Sequence, residues 1–200
     1  METHIKTKIG VMGAAGDLLA AEGKRLKESA EALGAAIARQ GCVLVTGATT
    51  GLPDMVSRAA RMNGGLTIGI SPAASRQEHV ERYRLPDDGA DVIIYTGFGL
   101  KGRNVINIRA SDIVIIFGGG MGTLNEFTIA YDEGKVIGVL EGSGGVADHI
   151  KEIIDFSRKS TASQVIYSEE PLTLIADCLE ASQRVSKGAG ALTLKPINEY

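Results

Sequence analysis

The segment DIVIIFGGGMGTLNE, residues 112–126, joins a continuous apolar run to a glycine-rich turn and then to a helical pattern. Four of the ten residues in 117–126 are glycine. Glycine inside a regular element costs about 0.5–1 kcal/mol relative to alanine, so the cluster indicates a turn in which the backbone approaches something closely. A buried strand followed by such a turn and a helix is the unit from which parallel sheets are built.

The same alternation of short β-branched runs and longer amphipathic segments continues on both sides of this unit. It predicts a doubly wound, Rossmann-like α/β fold, in which a parallel sheet of about seven strands is flanked by helices. The predicted strands are residues 8–13, 42–47, 66–71, 91–96, 112–117, 135–140 and 164–168. The predicted helices are one between Asp17 as N-cap and Gly41 as C-cap, then 53–63, 76–84, 99–110, 122–133, 145–158 and 171–183.

The length of 200 residues fits a single domain. We expect this α/β domain to cover residues 1–183. The remaining residues, 184–200, lose helical periodicity and gain glycine and lysine. They are predicted to form a loosely ordered tail or an arm that crosses a partner subunit.

Composition argues against several classes of function. A formal net charge of −3, no tryptophan and 4% aromatic residues offer little for gripping a phosphodiester backbone, so no nucleic acid partner is expected. No stretch approaches the roughly 20 apolar residues of a membrane span, which predicts a cytoplasmic protein without a membrane partner. Cys42 and Cys178 are interpreted as inert core thiols, and the three histidines share no ligand spacing, so neither a metal nor another cofactor is predicted.

Ligands of open parallel sheets bind beyond the carboxyl ends of the strands, near the point where strand order reverses. Three glycine-bearing loops follow predicted strands, at residues 11–17, 45–54 and 117–126. The first resembles a shortened dinucleotide fingerprint, although a tight turn explains Gly13 and Gly16 equally well. The third leads directly into a helix, whose unpaired N–H groups and partial positive charge favour a phosphate. The predicted phosphate- or nucleotide-binding residues are Gly13, Ala14, Gly47, Asn104, Gly119, Gly120, Met121, Gly122 and Thr123.

A purely structural interpretation of the third loop is also open. Thr123 followed by Glu126 matches the T-x-x-E capping box, in which threonine is the N-cap and glutamate the N3 residue. Taken alone, this pattern favours a capped helix start over a binding site.

The residues upstream carry a resemblance to a known family. Arg103 stands eight residues before Ser111-Asp112, and Gly119, Gly120, Gly122, Thr123 and Glu126 fill the motif PGGxGTxxE. The chain thereby resembles the Lonely Guy (LOG) family, formerly labelled lysine decarboxylases, over roughly residues 8–180. The resemblance implies a homodimer or higher homo-oligomer that hydrolyses the N-glycosidic bond of nucleoside 5′-monophosphates. It also implies catalytic roles for Arg103 and Glu126 and phosphate binding by the glycine-threonine loop.

Three departures distinguish this chain from the plant-type enzymes. Gly118 replaces the proline of the motif, Gly102-Arg103-Asn104 stands where those enzymes have Glu-Arg-Lys, and the second loop is GATTGLPD rather than GGGxxGLMG. In the Gly102-Arg103-Asn104 segment the chain is more similar to short prokaryotic relatives and to molybdenum-cofactor carrier proteins, which share the fold but bind rather than cleave. A non-catalytic nucleotide- or cofactor-binding protein is therefore the alternative function.

The proposed chemistry gives the two charged residues different roles. Glycosidic cleavage passes through an oxocarbenium-like cation, which a carboxylate such as Glu126 can stabilise while it orients or deprotonates water. Arg103 has a pKa too high for an acid, so it is expected to bind phosphate or ribose hydroxyls and to orient Glu126, unless it is simply a solvated helix residue. Arg109 is predicted to be structural. The apolar faces of helices 99–110 and 122–133 are predicted to form a two-fold contact.

Overall fold

The structure is a computed structural model that describes residues 5–16 and 20–189. The predicted N-cap Asp17 lies outside these residues. Within them, seven parallel strands form one sheet in the order β4-β3-β2-β1-β5-β6-β7, as predicted. The strands are β1 Lys8–Gly13, β2 Val43–Thr46, β3 Leu66–Ser71, β4 Val92–Tyr95, β5 Ile113–Phe117, β6 Val136–Leu140 and β7 Gln164–Ser168. The α-helices are α1 Ala20–Arg39, α2 Leu52–Met62, α3 Gly99–Ala110, α4 Met121–Asp132, α5 Ile150–Ser157 and α6 Pro171–Ala189.

The strand order places a reversal of direction between β1 and β5. The chain moves outward from β1 to β4 and then returns to the other side of β1 at β5. These two strands pair in parallel, with Gly13 opposite Phe117 at their carboxyl ends. The two glycine-bearing loops that follow β1 and β5 therefore lie side by side at the switch point, where open sheets of this kind bind ligands.

Hydrophobic cores on both faces of the sheet explain its uninterrupted apolar strands. In β5, Ile113, Ile115 and Phe117 join the core that packs under α1, α2 and α6. Val114 and Ile116 point the other way, into the core beneath α3, α4 and α5. Because successive side chains of a strand alternate between faces, burial on both faces requires every position to be apolar.

Two predicted helices are replaced by shorter elements. The segment 76–84 forms a short π-helical turn, Glu78–Arg82, because the ring nitrogens of buried His79 bind Ser71 Oγ at 2.8 Å and the Pro86 carbonyl at 2.9 Å. The segment 145–158 splits into a 3₁₀ turn, Gly145–His149, and α5. Glycines at the start of this segment, at Gly144 and Gly145, hold positive φ angles and so delay the regular helix.

The last helix runs further than predicted. It continues to Ala189 rather than ending at residue 183, because residues 184–187 contain neither glycine nor proline to stop it. An ion pair between Arg184 and Glu180, one helical turn apart, supports this extension. Residues 184–189 are thus helical rather than a loose tail, and residues 190–200 lie outside the described part of the chain.

Two smaller expectations agree with the structure. Gly41 follows α1 with a φ of 67°, and its N–H donates to the Ala38 carbonyl at 2.9 Å, as a glycine C-cap does. Cys42 and Cys178 are buried and free, and burial raises the pKa of Cys178 to about 12. Over the described ranges, no helix combines the length and apolar content that a bilayer span requires.

Candidate functional site

A cavity of about 230 Å³ opens at the switch point. Its walls come from the end of β1, the loop after β2, and the first turns of α2, α3 and α4. The glycines that sequence analysis assigned to a binding site occupy several of these walls. Gly13 and Gly47 line the cavity from the sheet side, and Gly120, Gly122 and Thr123 line it from α4.

The buried stripe of α4 contains two polar residues of the motif. Thr123, Glu126, Phe127 and Ala130 are buried and recur at the spacing of one helix face. The apolar members pack on the sheet, whereas Thr123 and Glu126 line the cavity. Polar residues in the buried stripe of an amphipathic helix are uncommon unless they have partners, and both have them.

The capping box predicted for Thr123 and Glu126 is wrong. The N-cap of α4 is Gly120, and no side chain in the described part of the chain caps the helix. The Thr123 hydroxyl instead donates to the Gly13 carbonyl at 3.3 Å, and Glu126 lies in the second turn and faces α3. Since no side chain caps the helix, the N–H groups of its first turn remain without a side-chain partner, which is the requirement for an anion site.

The glycine loop before α4 is fixed by the loop that follows β6. Gly118 and Gly119 have φ angles of 62° and 92°. The Gly118 N–H donates to Ser143 Oγ at 2.8 Å, and the Ser143 hydroxyl donates to the Leu140 carbonyl at 2.5 Å. Proline, with φ near −65° and no N–H, fits neither feature of position 118. The departure from the LOG motif at this position therefore has a physical reason.

Arg103 and Glu126 form a buried ion pair beside the cavity. Arg103 Nη1 lies 3.1 Å from Glu126 Oε1, and the two side chains are 7% and 8% exposed. Burial raises the pKa of Glu126 above its ordinary value, although Arg103 and, more weakly, Asn107 and Lys101 act in the opposite direction. The interpretation of Arg103 as a solvated helix arginine is thus wrong, because its guanidinium is buried.

Asn104, the next residue of α3, also faces the carboxylate. As placed, Asn104 Nδ2 donates to Asn125 Oδ1 at 2.8 Å. With the Asn104 and Asn125 amides both turned, Asn104 Nδ2 donates to the Leu100 carbonyl at 2.9 Å and to Glu126 Oε1 at 3.2 Å. Asn104 thereby links the cavity wall to the ion pair.

The guanidinium of Arg103 lies against the backbone of Gly47. A Cβ added to Gly47 would overlap Arg103 Nη1 and lie 2.6 Å from Arg103 Cζ. Glycine at this position is therefore needed for a close approach rather than for an unusual backbone angle.

We expect Gly47→Ala to displace the Arg103 guanidinium and break its contact with Glu126. A hydrogen bond between charged groups contributes about 1.5–3 kcal/mol, so the free energy of unfolding should fall by roughly that amount. Urea denaturation measures the change. The matched control is Gly122→Ala, whose added Cβ meets open space and which lies inside α4, where alanine is no less stable than glycine. Equal stability of the two variants would contradict the role given to Gly47.

Other predicted site residues do not line the cavity. The Ala14 carbonyl accepts a hydrogen bond from the Leu52 N–H at 2.9 Å, and Met121 is 76% exposed. Gly119 supports the loop, because a Cβ there would overlap the Thr123 side chain. Sequence analysis missed Lys101 and Thr49, which do line the cavity.

Residues predicted to be structural lie apart from the site. Arg109 pairs with Glu133 at 2.8 Å on the exposed side of α3, as a structural arginine would. In the part of the chain that is described, no group of three or more histidine, cysteine, aspartate or glutamate residues is placed to hold a metal ion.

Comparison with known sequences gives a family and named relatives. A model of the SLOG cluster4 family matches residues 6–175. A protein of Mycobacterium marinum named cytokinin riboside 5′-monophosphate phosphoribohydrolase is 36% identical over 110 residues, which cover 54% of this chain and 56% of that protein. The chain thus matches little more than half the length of this relative.

Solved structures agree in fold over most of the chain. The molybdenum cofactor binding protein of Rippkaea orientalis is 30% identical with a TM-score of 0.70, and the match covers 92% of this chain and 99% of that one. The molybdenum cofactor carrier protein of Chlamydomonas reinhardtii is 26% identical with a TM-score of 0.67, over 90% and 99% of the two chains.

Proposed function

We propose that this chain, which belongs to the SLOG cluster4 family, hydrolyses the N-glycosidic bond of nucleoside 5′-monophosphates to free base and ribose 5-phosphate. One observation carries the proposal. Glu126 is a buried carboxylate whose Oε1 is held by Arg103 at 3.1 Å. The other carboxylate oxygen, Oε2, accepts no hydrogen bond among the described residues. Unlike Arg103 Nε and Asn107 Oδ1, it is not both unpaired and fully buried, so Oε2 remains open to the cavity.

The start of α4 supports the phosphate end of such a substrate. The first-turn N–H groups carry about half a positive charge and lack a side-chain cap. Thr123 and Glu126 are three residues apart on the same face of this helix, a rise of about 4.5 Å. A phosphate on the first turn would therefore place the attached pentose against the carboxylate. Lys101, which also lines the cavity, adds a positive charge at the start of α3.

The reaction follows from this placement. A water molecule attacks C1′ while the C1′–N bond breaks, and its electrons leave with the base, which takes a proton from solvent. Glu126 stabilises the cationic sugar and accepts the proton of the attacking water. A pKa raised by burial makes the carboxylate a stronger base at neutral pH. Arg103 fixes Oε1 and leaves Oε2 for the water.

The direct test is an assay of free base after incubation with purine and pyrimidine nucleoside monophosphates. We expect release from at least one monophosphate and much slower release from the corresponding nucleoside, which lacks the phosphate that anchors C1′. Absence of free base with every monophosphate would overturn the proposal.

A carrier or binding protein is the second candidate. The Gly102-Arg103-Asn104 sequence favours it, as does the similarity to molybdenum cofactor proteins over most of the chain. Such a protein would bind a phosphorylated ligand at the start of α4 and leave it intact. Calorimetric binding of a nucleoside monophosphate or of molybdenum cofactor, together with full recovery of the ligand, would favour this function over hydrolysis.

A homodimer also belongs to the proposal. Phe98, Leu100 and Met121 at the starts of α3 and α4 are 68%, 51% and 76% exposed. Exposed apolar side chains commonly mark interfaces, and these three lie at the N-terminal ends of the two helices whose apolar faces are predicted to form the two-fold contact. We propose that a second copy covers them, which sedimentation equilibrium tests through the molecular mass in solution.

A further inference from the structure

Asn107 is a fully buried polar side chain that the catalytic proposal does not use. It lies one helical turn after Arg103 on the same face of α3. Its Nδ2 is 3.1 Å from Met12 Sδ and 3.5 Å from Glu126 Oε1. Its Oδ1 has no hydrogen-bond partner among the described residues. A buried amide with an unpaired oxygen destabilises the folded state, so stability alone does not explain why asparagine lies at this position.

The donors around Glu126 converge on one oxygen. Arg103 Nη1 lies 3.1 Å, Asn104 Nδ2 in its turned orientation 3.2 Å, and Asn107 Nδ2 3.5 Å from Oε1. None of them reaches Oε2. Asn107 does not line the cavity, whereas its other neighbour, Met12, does. Asn107 therefore lies behind the carboxylate and can act on a ligand only through Met12 or Glu126, of which Glu126 alone is ionisable.

We infer that Asn107 is a positioning residue, which holds Glu126 by Oε1 so that Oε2 is presented to the cavity. The distances to Oε1 support the role of Asn107 in holding the carboxylate. An effect of Asn107 on turnover rests on the proposed hydrolase function.

The groups around Glu126 act in opposite directions on its pKa. The hydrogen bond from Asn107 favours the ionised carboxylate and so lowers the pKa of Glu126, against the larger effect of burial. The charged groups facing Glu126 are Arg103 and Lys101, both on α3. Among the described residues, the cavity walls from β1, the loop after β2 and α2 carry no ionisable side chain. Asn107 is therefore a neutral donor that favours ionisation of the glutamate.

Carbon-13 NMR of protein labelled at the glutamate carboxyl carbons tests this without any substrate. The Glu126 signal is assigned by its loss in Glu126→Gln, and its titration midpoint is measured in wild type and in Asn107→Leu. Leucine branches at the same carbon and has the same number of side-chain heavy atoms, although its methyl groups are larger, and it removes both the donor and the unsatisfied oxygen. We expect the midpoint to rise by about one unit, the value for a lost hydrogen bond to a charged group.

Two further variants separate positioning from packing. Asn107→Asp keeps the size of the side chain but adds a like charge, so it should raise the midpoint further and also serves if the leucine variant fails to fold. Ser57→Ala removes a buried hydroxyl that donates to the Gly89 carbonyl at 2.6 Å, away from the site, and should leave the midpoint unchanged. An unchanged midpoint in both Asn107 variants, or an equal shift in Ser57→Ala, would overturn the inference.

Kinetics then connects the inference to the proposed function. In Asn107→Leu we expect kcat to fall about tenfold with KM nearly unchanged, because the phosphate contacts stay in place. The acid limb of the pH profile should move to higher pH with the Glu126 midpoint. A shifted midpoint in a protein without hydrolase activity would end the proposed function and leave the inference intact. An active enzyme whose midpoint does not move would do the reverse.

Discussion

Replacing Glu126 with glutamine is expected to slow base release from a nucleoside monophosphate by about 10²–10⁴-fold, the usual contribution of a general base. Glutamine keeps the length of the side chain and can still accept a hydrogen bond from Arg103. It cannot take a proton from water or stabilise a cationic sugar by its charge. Single-turnover assays with enzyme in excess measure the loss directly, because they exclude any change in product release.

Two controls accompany this variant: a second glutamate, next to the end of the same helix, and the binding of ribose 5-phosphate. Glu133→Gln changes a carboxylate next to the end of α4, whose partner is the exposed Arg109, and it should retain full activity. Ribose 5-phosphate should bind Glu126→Gln at least as well as wild type, because the first turn of α4 is untouched. Wild-type activity in Glu126→Gln would show that Glu126 is not the base.

Replacing Arg103 with methionine is expected to lower the free energy of unfolding by about 3–5 kcal/mol at neutral pH, the usual cost of stranding one charge of a buried pair. The side chain of Glu126 is 8% exposed, so solvent replaces the lost partner only in part. Chemical denaturation measures the change. Arg109→Met is the matched control, because it breaks an exposed pair with Glu133 that is worth no more than about 1 kcal/mol.

The loss of stability in Arg103→Met should depend on pH in a defined direction. Burial already raises the pKa of Glu126 above its ordinary value, and loss of Arg103 raises it further. The folded state then resists ionisation that the unfolded state permits, so the deficit is small below the unfolded pKa of about 4.3 and grows as pH rises through it. Adding Glu126→Gln to Arg103→Met should restore most of the stability at neutral pH. A pH-independent deficit, or no recovery in the double variant, would contradict a buried ionic interaction.

The sheet could be predicted from the sequence because burial on both faces leaves a simple pattern. β1, β3 and β7 begin and end at the predicted residues, since each contains an apolar or β-branched run bounded by glycine or polar residues. The turn at Glu78–Arg82 could not be predicted, because His79 Nε2 binds the carbonyl of Pro86, a contact that helical periodicity does not encode. The extension of α6 was missed because the loss of helical periodicity and the gain of glycine and lysine after residue 183 were interpreted as the end of the helix.

The site was only partly accessible from sequence. Arg103 and Glu126 were chosen by resemblance to a motif, and they are 23 residues apart in the chain but in contact in the fold. The local T-x-x-E pattern predicted a helix cap because it cannot show where the preceding glycine loop ends. Asn107 could have been found from its position one turn after Arg103 on α3, although only the structure reveals that Glu126 lies within its reach.

The hydrogen bond between the Gly118 amide and Ser143 has a consequence for affinity. The glycine loop before α4 takes its final shape when the protein folds, because the Gly118 N–H already donates to the Ser143 hydroxyl in the loop after β6. A phosphate that binds there meets a loop that is already ordered, so binding costs little conformational entropy of the protein. Even a small phosphorylated fragment, such as ribose 5-phosphate, should therefore retain a large share of the affinity of a whole nucleotide.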